Sequence, residues 1–275
     1  DISIITSNGI DHTEFLGNTI DSIALEKAGV MRPFKTCIYA QEKPPAALLK
    51  YAKNKSVNLL IHNNDYQVNL GNSNWSLKSK HKFINDIPNL KMIGAYQYNY
   101  AAASLLALDA ILPQCLDDHD VIKKALSETE ISGRFQYLSK SPDIILDVAH
   151  NEDAARSLSD NIKKIGYDKM IVVLGVLADK DVYSIVEPFS SLVDRWYIGT
   201  INSERGMNSD EIKFRINSIY KNKLSIGTYA SVTSAFNAAK YDQMKDSLLL
   251  VYGSFYTVSE ALKAHLLEHK KGNAI

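Results

Sequence analysis

Hydrophobic residues follow two patterns along this chain. Short continuous apolar runs, such as Met170–Leu174 and 248–251, are typical of strands buried on both faces of a parallel sheet. Longer segments with helical spacing and capping residues separate them. The pattern predicts strands near 2–7, 36–40, 58–62, 135–139, 143–148, 169–175, 194–199 and 247–252. It predicts helices near 19–29, 45–54, 94–111, 118–128, 152–165, 208–219, 231–242 and 254–269.

This alternation of strands and helices predicts an α/β fold with mostly parallel sheets covered on both faces. Residues 65–84 alternate polar and apolar positions between Asn and Gly residues, which predicts a small antiparallel patch. The pattern breaks at 131–134, so we expect a domain boundary near 134, with one domain over 1–134 and a second over 135–275.

The first predicted strand begins directly after Asp1. Its residues Ile2, Ile4 and Ile5 have no earlier strand to pair with, which indicates a sequence that starts inside a domain. The alternative is an unusual N-terminal edge strand.

The composition is that of a globular protein and argues against several classes of partner. The chain has 275 residues, of which 45% are hydrophobic and 23% charged, as in ordinary globular proteins. Lys+Arg and Asp+Glu both number 31, which argues against a nucleic-acid partner or a basic membrane surface. Cys37 and Cys115 are isolated, so they form neither a disulfide framework nor a zinc cluster. We therefore expect a cytoplasmic protein that acts as a monomer on small molecules.

The first candidate site follows the first strand. The loop at 9–17 carries Asp11-His12-Thr13, and the next helix brings Lys27 back toward the same end. Hard cations prefer oxygen and imidazole ligands, and nucleotides bind at the carboxyl ends of strands. His12 and Lys27 thus predict one wall of a metal–nucleotide site, with the other wall upstream. Each also fits a plainer interpretation: a loop histidine bonded to backbone, and a solvated lysine at a helix end.

Two further candidates lie near the predicted boundary. Asn99, with Gln97, sits near the start of the long helix, where an amide can bind the edge of adenine. Arg134 sits at the domain junction, where a guanidinium can reach a phosphate. Asn99 also fits an ordinary polar residue of a first helical turn, and Arg134 a linker arginine.

The third candidate is the segment 147–151, which ends a strand and opens a helix. Asp147 at a strand end can bond ribose hydroxyls, and His150 can meet phosphate. The plainer interpretation is that Asp147 or Asn151 caps the helix at 152. Residues 178–181 follow the next strand and either touch substrate or cap a helix.

Two further motifs do not indicate a functional site. No glycine is followed by lysine, so the chain has no Walker-type phosphate loop. The segment 265–269 matches a His-x-x-Glu-His metalloprotease pattern, but it lies in the last helix beside two lysines, and we take it as a false lead.

These motifs, taken in order, resemble the folylpolyglutamate synthase/dihydrofolate synthase family of the Mur ligase superfamily. The matching landmarks span nearly the whole chain: 9–17, 23–29, 97–99, 133–135, 147–151, 179–181 and 253–258. The resemblance implies a partial P-loop-type ATPase domain, the Mur ligase central domain, followed by a Rossmann-like, mostly parallel C-terminal domain.

The resemblance also implies residue roles. His12 resembles a magnesium ligand, and Lys27 the lysine that becomes carbamylated and holds a second Mg²⁺. The nucleotide contacts implied are Asn99 on adenine, Arg134 on the phosphates, Asp147 on ribose and His150 near the phosphates. We expect Lys27 and His150 to take part in catalysis.

The activity implied is an ATP- and Mg²⁺-dependent addition of L-glutamate to dihydropteroate or folate polyglutamates through an acyl phosphate. Family members carry a phosphate loop, a mobile loop and an acidic metal ligand in a region that would precede Asp1. We therefore expect the chain alone to be inactive. Two alternatives stay open: a peptidoglycan-precursor ligase of the same superfamily, and a remnant that has lost catalysis.

Overall fold

The computed structural model describes residues 1–7, 9, 17, 19–221 and 223–272. The chain divides into two compact units, Asp1–Glu130 and Ile131–Ile275. The division lies a few residues before the boundary near 134 that the sequence suggested.

Twelve strands lie in the described part of the chain. In chain order they are β1 Ile2–Ile5, β2 Thr36–Tyr39, β3 Asn58–Ile61, β4 Tyr66–Leu70, β5 Asn74–Ser79, β6 Phe83–Pro88, β7 Gln136–Ser139, β8 Asp143–Leu146, β9 Met170–Leu174, β10 Arg195–Gly199, β11 Ile226–Tyr229 and β12 Leu248–Tyr252.

Nine α-helices lie in the same described part. They are α1 Ile20–Ala28, α2 Ala46–Asn54, α3 Ala95–Ile111, α4 His119–Glu128, α5 Glu152–Ile165, α6 Val182–Val186, α7 Ser209–Tyr220, α8 Val232–Asp242 and α9 Phe255–Gly272. No helix among these residues has the length and apolar character needed to cross a membrane.

The first unit contains two small sheets. Strands β1, β2 and β3 form a parallel sheet in that order, and β4, β5 and β6 form an antiparallel sheet. The antiparallel sheet lies where alternating polarity predicted it. Helix α1 begins after Thr19, whose side chain accepts a hydrogen bond from the Ser22 N–H, and it ends at Ala28 before Gly29.

The second unit is built on one six-stranded sheet in the order β11-β10-β9-β12-β8-β7. All neighbours are parallel except β7, which runs antiparallel to β8. The expectation of a mostly parallel α/β sheet is confirmed. Strand β11 and helix α6 were not predicted, because each is a single short segment and β11 contains Gly227.

Helices cover both faces of this sheet. Val251 packs in a core with Val232 and Phe236 of α8 and Ala261 of α9. The next residue, Tyr252, points to the other face, where its hydroxyl donates to the carbonyl of Ile185 in α6, 3.0 Å away. Successive strand residues alternate between faces, so α8 and α9 cover one face and α6 the opposite one.

Strand order creates a crevice in this sheet. Strands β9, β10 and β11 follow one another toward one edge of the sheet. Strand β12 then lies between β9 and β8. The direction of the connections therefore reverses beside β12. Ligands of open α/β sheets bind at the carboxyl ends of strands at such a reversal.

Candidate functional site

Three segments meet at this reversal in the second unit. Residues 147–151 follow β8, residues 253–257 follow β12, and residues 175–181 follow β9. The sequence singled out 147–151, 178–181 and 253–258, and the parallel register places the ends of these three strands side by side at the carboxyl edge of the sheet.

Asp147 is held by backbone on both of its carboxylate oxygens. Its Oδ2 accepts a hydrogen bond from the N–H of Phe135, and its Oδ1 accepts one from the N–H of Ala149, each at 2.8 Å. The side chain is buried, and burial raises the pKa of Asp147. The two N–H donors and the charges of Arg134 and His150 oppose that rise without cancelling it.

Asp147 does not cap the following helix. Asn151 does, because its Oδ1 accepts a hydrogen bond from the Ala154 N–H at 3.0 Å. Of the two candidate caps that the sequence offered, Asn151 is therefore the cap. The Asp147 carboxylate instead bonds segment 131–135 to the end of β8.

His150 is half-buried and has a defined ring orientation. Its Nδ1 lies 2.8 Å from the carbonyl oxygen of Val148. A carbonyl only accepts, so Nδ1 carries the proton and, in the neutral ring, Nε2 carries the lone pair. The ring also lies against Phe255, with the ring centres 6.3 Å apart and the planes at 44°.

Segment 131–135 is tied to the same edge. The Val148 N–H donates to the carbonyl of Gly133 at 2.8 Å. Gly133 has a φ of +72°, and a Cβ there would lie 2.8 Å from a methyl of Val148, so this position requires glycine. Arg134 follows it, half-buried, with its charge acting on Asp147. The structure thus brings Arg134, Asp147 and His150 together.

A chain of hydroxyls joins β12 to β9. The Thr257 hydroxyl donates to the carbonyl of Gly175 at 2.8 Å, so it accepts from the Ser254 hydroxyl, also 2.8 Å away. The Ser254 oxygen in turn accepts the Thr257 N–H at 3.0 Å. Gly253 allows the close approach, since a Cβ there would lie 2.4 Å from the Gly175 carbonyl. The sequence analysis identified 253–258 as a matching motif but did not predict these hydrogen bonds.

Segment 178–181 combines an ion-pair cluster with a cap. Lys180 is buried, and its Nζ lies 3.2 Å from Asp179, which also pairs with Arg205 at 3.3 Å. Burial raises the pKa of Asp179, but the hydrogen bond and charge of Lys180, the backbone N–H of Asp179 and the hydrogen bond from Arg205 outweigh burial and lower the pKa overall. Asp181 caps α6 by accepting the Tyr183 N–H.

The first unit contains the other predicted residues. Lys27 is half-buried in the last turn of α1, and its Nζ donates to the Ser7 carbonyl at 2.7 Å. Its ammonium therefore lies just beyond the carboxyl end of β1, where the sequence placed it. His12 lies outside the described residues. Asn99 is half-buried in the second turn of α3, a helix that packs on β1 and β2.

Within the metalloprotease-like pattern of the last helix, Glu268 forms an ion pair with Lys240. Among the described residues, no group of three or more His, Cys, Asp or Glu side chains could hold a metal ion.

Comparison with known proteins finds matches to this arrangement. Residues 133–255 match the model of the Mur ligase, glutamate ligase domain. The dihydrofolate synthase/folylpolyglutamate synthase of Escherichia coli is 30% identical over 98% of this chain, which covers 60% of that protein. The Haemophilus influenzae protein of the same name is 30% identical over 94% of this chain, which covers 62% of it.

The chain is similar over nearly its whole length to these dihydrofolate synthase/folylpolyglutamate synthases. Solved structures agree: an Escherichia coli FolC in complex with DHPP and ADP aligns over all of this chain with a TM-score of 0.85 and 29% identity. The Yersinia pestis enzyme complexed with AMPPNP and Mn ion gives a TM-score of 0.83 at 28% identity. The resemblance inferred from the motifs is confirmed.

The chain spans about three fifths of the length of these relatives, 60–62% of the two proteins compared above. The matched Mur ligase domain contains Arg134, Asp147 and His150, and it reaches Phe255. These three candidate residues therefore lie within the segment that matches this domain model.

Proposed function

We propose that the protein is an ATP-dependent ligase that adds L-glutamate to dihydropteroate or folate polyglutamates. The observation that carries the proposal is the convergence of Arg134, Asp147 and His150 on one sheet edge in a homologue of folate ligases. The isolated cysteines of the sequence support the cytoplasm as its compartment, and we propose that it acts there as a monomer.

The residues of the second unit fit a nucleotide. An ionised carboxylate offers about four acceptor positions, and the two backbone N–H groups on Asp147 use two of them. The remaining positions suit ribose hydroxyls, and Arg134 beside them suits phosphate. Relatives support this ligand class, because their structures contain ADP, AMPPNP, Mn ion and L-glutamate.

The proposed divalent cation, Mg²⁺, depends on the first unit. Lys27 as an ammonium is a hydrogen-bond donor, so it holds no metal until its nitrogen is carbamylated. The metal part of the proposal therefore rests on the modified Lys27 and on His12. Mg²⁺, when bound, would neutralise phosphate charge.

The reaction proposed has two steps. A substrate carboxylate takes the γ-phosphoryl group of ATP, giving an acyl phosphate and ADP. The amine of glutamate then attacks the acyl carbon, and the tetrahedral intermediate expels phosphate and leaves an amide. The Arg134 guanidinium would stabilise charge on the phosphate oxygens, and the Nε2 lone pair of His150 would accept a hydrogen bond from a reacting group.

The test is a ligase assay of the intact protein with ATP, glutamate and either dihydropteroate or a tetrahydrofolate. We expect phosphate release that requires all substrates. Arg134→Ala and His150→Ala should each lower kcat/KM by about 100-fold. Arg215→Ala, which removes an exposed arginine from the same unit, is the control.

Two outcomes would contradict the proposal. Turnover with a peptidoglycan precursor in place of folate would favour the second Mur ligase class. Absence of turnover and of ATP binding, in a protein that unfolds cooperatively, would favour a remnant without catalysis.

A further inference from the structure

We infer that Phe255 is a positioning residue that holds the His150 ring in its working orientation, and that Thr257 fixes Phe255 for this task. The inference deepens the proposed function, since it concerns how a proposed catalytic side chain is oriented. Both residues belong to the first turn of α9, which follows the turn after β12.

Two of the contacts of His150 restrain its ring in different ways. The hydrogen bond from Nδ1 to the Val148 carbonyl fixes the tautomer and one edge of the ring. That bond acts on the Nδ1 edge of the ring only. The tilted contact with the Phe255 ring, at 6.3 Å between centres, adds packing against the ring itself.

Core packing does not account for Phe255. Its side chain is 60% exposed, in a turn whose neighbours Ser254 and Thr257 are almost completely buried. An exposed phenyl ring adds little burial energy. Its ring contact within the described structure is with His150, so truncating Phe255 should disturb that contact far more than the fold.

Thr257 provides the anchor. Its hydroxyl donates to Gly175 at the end of β9, eighty-two residues away along the chain, and accepts from Ser254. These bonds fix the first turn of α9 against the neighbouring strand end. The buried Thr257 hydroxyl therefore helps to fix the Phe255 backbone and, through the Phe255 ring, the orientation of His150.

The experiment measures the imidazole N–H of His150 by NMR in the 275-residue chain, assigned through His150→Gln. In Phe255→Ala we expect solvent exchange of the Nδ1 proton to accelerate by about tenfold, as expected for loss of an aromatic contact. Phe255→Tyr keeps the ring and should keep the slow exchange. Tyr256→Ala is the matched control, since Tyr256 is a half-exposed aromatic of the same turn.

A second pair of variants tests the anchor. Thr257→Val keeps the shape but removes the hydroxyl, and should accelerate the exchange as Phe255→Ala does, whereas Thr257→Ser should restore it. Equal exchange rates in Phe255→Ala, Tyr256→Ala and the parent chain would overturn the inference, because the ring contact would then restrain nothing.

The assay of the intact protein separates this inference from the proposed function. Phe255→Ala should lower kcat more than it raises the KM for glutamate, and Phe255→Tyr should recover it. If His150→Ala keeps full activity, the proposed role of His150 fails, whereas the NMR rates still decide whether Phe255 positions the ring.

Discussion

The two parallel sheets of this protein hold their candidate residues in different ways. In the second unit, the central strand β12 is buried at every position, and Asp147 and His150 at its neighbour's end are each fixed by backbone hydrogen bonds. In the first unit, β1 pairs only with β2 among the described residues and is largely half-exposed. The bonds that fix these two side chains come from Phe135, just before β7, and from Val148 and Ala149 in the segment that follows β8.

A comparison of the stability lost in Leu250→Ala with that lost in Ile4→Ala tests this difference between the two sheets. Leu250 is completely buried in β12, whereas Ile4 of β1 is 36% exposed. We expect Leu250→Ala to lower the free energy of unfolding of its unit by about 2–5 kcal/mol, and Ile4→Ala to cost roughly 1 kcal/mol or less.

Urea unfolding followed by tryptophan fluorescence measures both effects, because Trp75 and Trp196 report on the first and second unit respectively. Equal losses for the two variants would show that β1 is as tightly packed as the centre of the larger sheet.

The sheet of the second unit could be predicted because its strands are continuous apolar runs. The segment 147–151 was placed at a strand end by the same reasoning. Its contacts could not be predicted, because the Asp147 bond to Phe135 depends on the antiparallel pairing of β7 with β8. The Thr257 bond to Gly175 likewise depends on which strand lies beside β12. The joint placement of His12 and Lys27 stays a prediction.

Asp147 and Asp179, both in the second unit, should respond to pH in opposite ways. Burial raises the pKa of Asp147, whereas the cations around Asp179 lower its pKa despite burial. Carboxyl ¹³C NMR should therefore show Asp147 titrating above, and Asp179 below, the usual value of about 3.9.

The stability effects of these carboxylates have opposite signs. The contribution of Asp179 is present above the unfolded pKa and is lost as the pH falls through its lower folded pKa. The contribution of Asp147 is present below the unfolded pKa and is lost as the pH rises through its higher folded pKa. Asp179→Asn should thus destabilise the unit at pH 7 and lose its effect in acid. Titration of both groups at one pH would refute the distinction.

Phe34 gives the smallest expected effect, and it concerns the first unit. Residues 32–35 form a turn closed by the Lys35 N–H to Arg32 carbonyl bond, with Pro33 and then Phe34 at its centre. Phe34 has a φ of +59° and its ring is exposed, so an L side chain is strained there without a packing benefit.

We expect Phe34→Gly to raise the free energy of unfolding of the first unit by roughly 0.5–1 kcal/mol, net of the greater flexibility of unfolded glycine. Phe34→Ala keeps the Cβ and should give no such gain. Thermal unfolding of the three proteins compares them, and a gain in both variants would attribute the effect to the exposed ring rather than to the backbone.

The backbone bond from Phe135 to Asp147 has a thermodynamic consequence. The same carboxylate that would meet a nucleotide also holds the residue that directly follows Arg134. Any ligand that changes the charge or hydrogen bonding of Asp147 must therefore change the conformational preference of segment 131–135. Reciprocity then requires that restraining this segment alter the affinity for the ligand by the same factor. The conformation of segment 131–135 and ligand binding at Asp147 therefore form one coupled equilibrium.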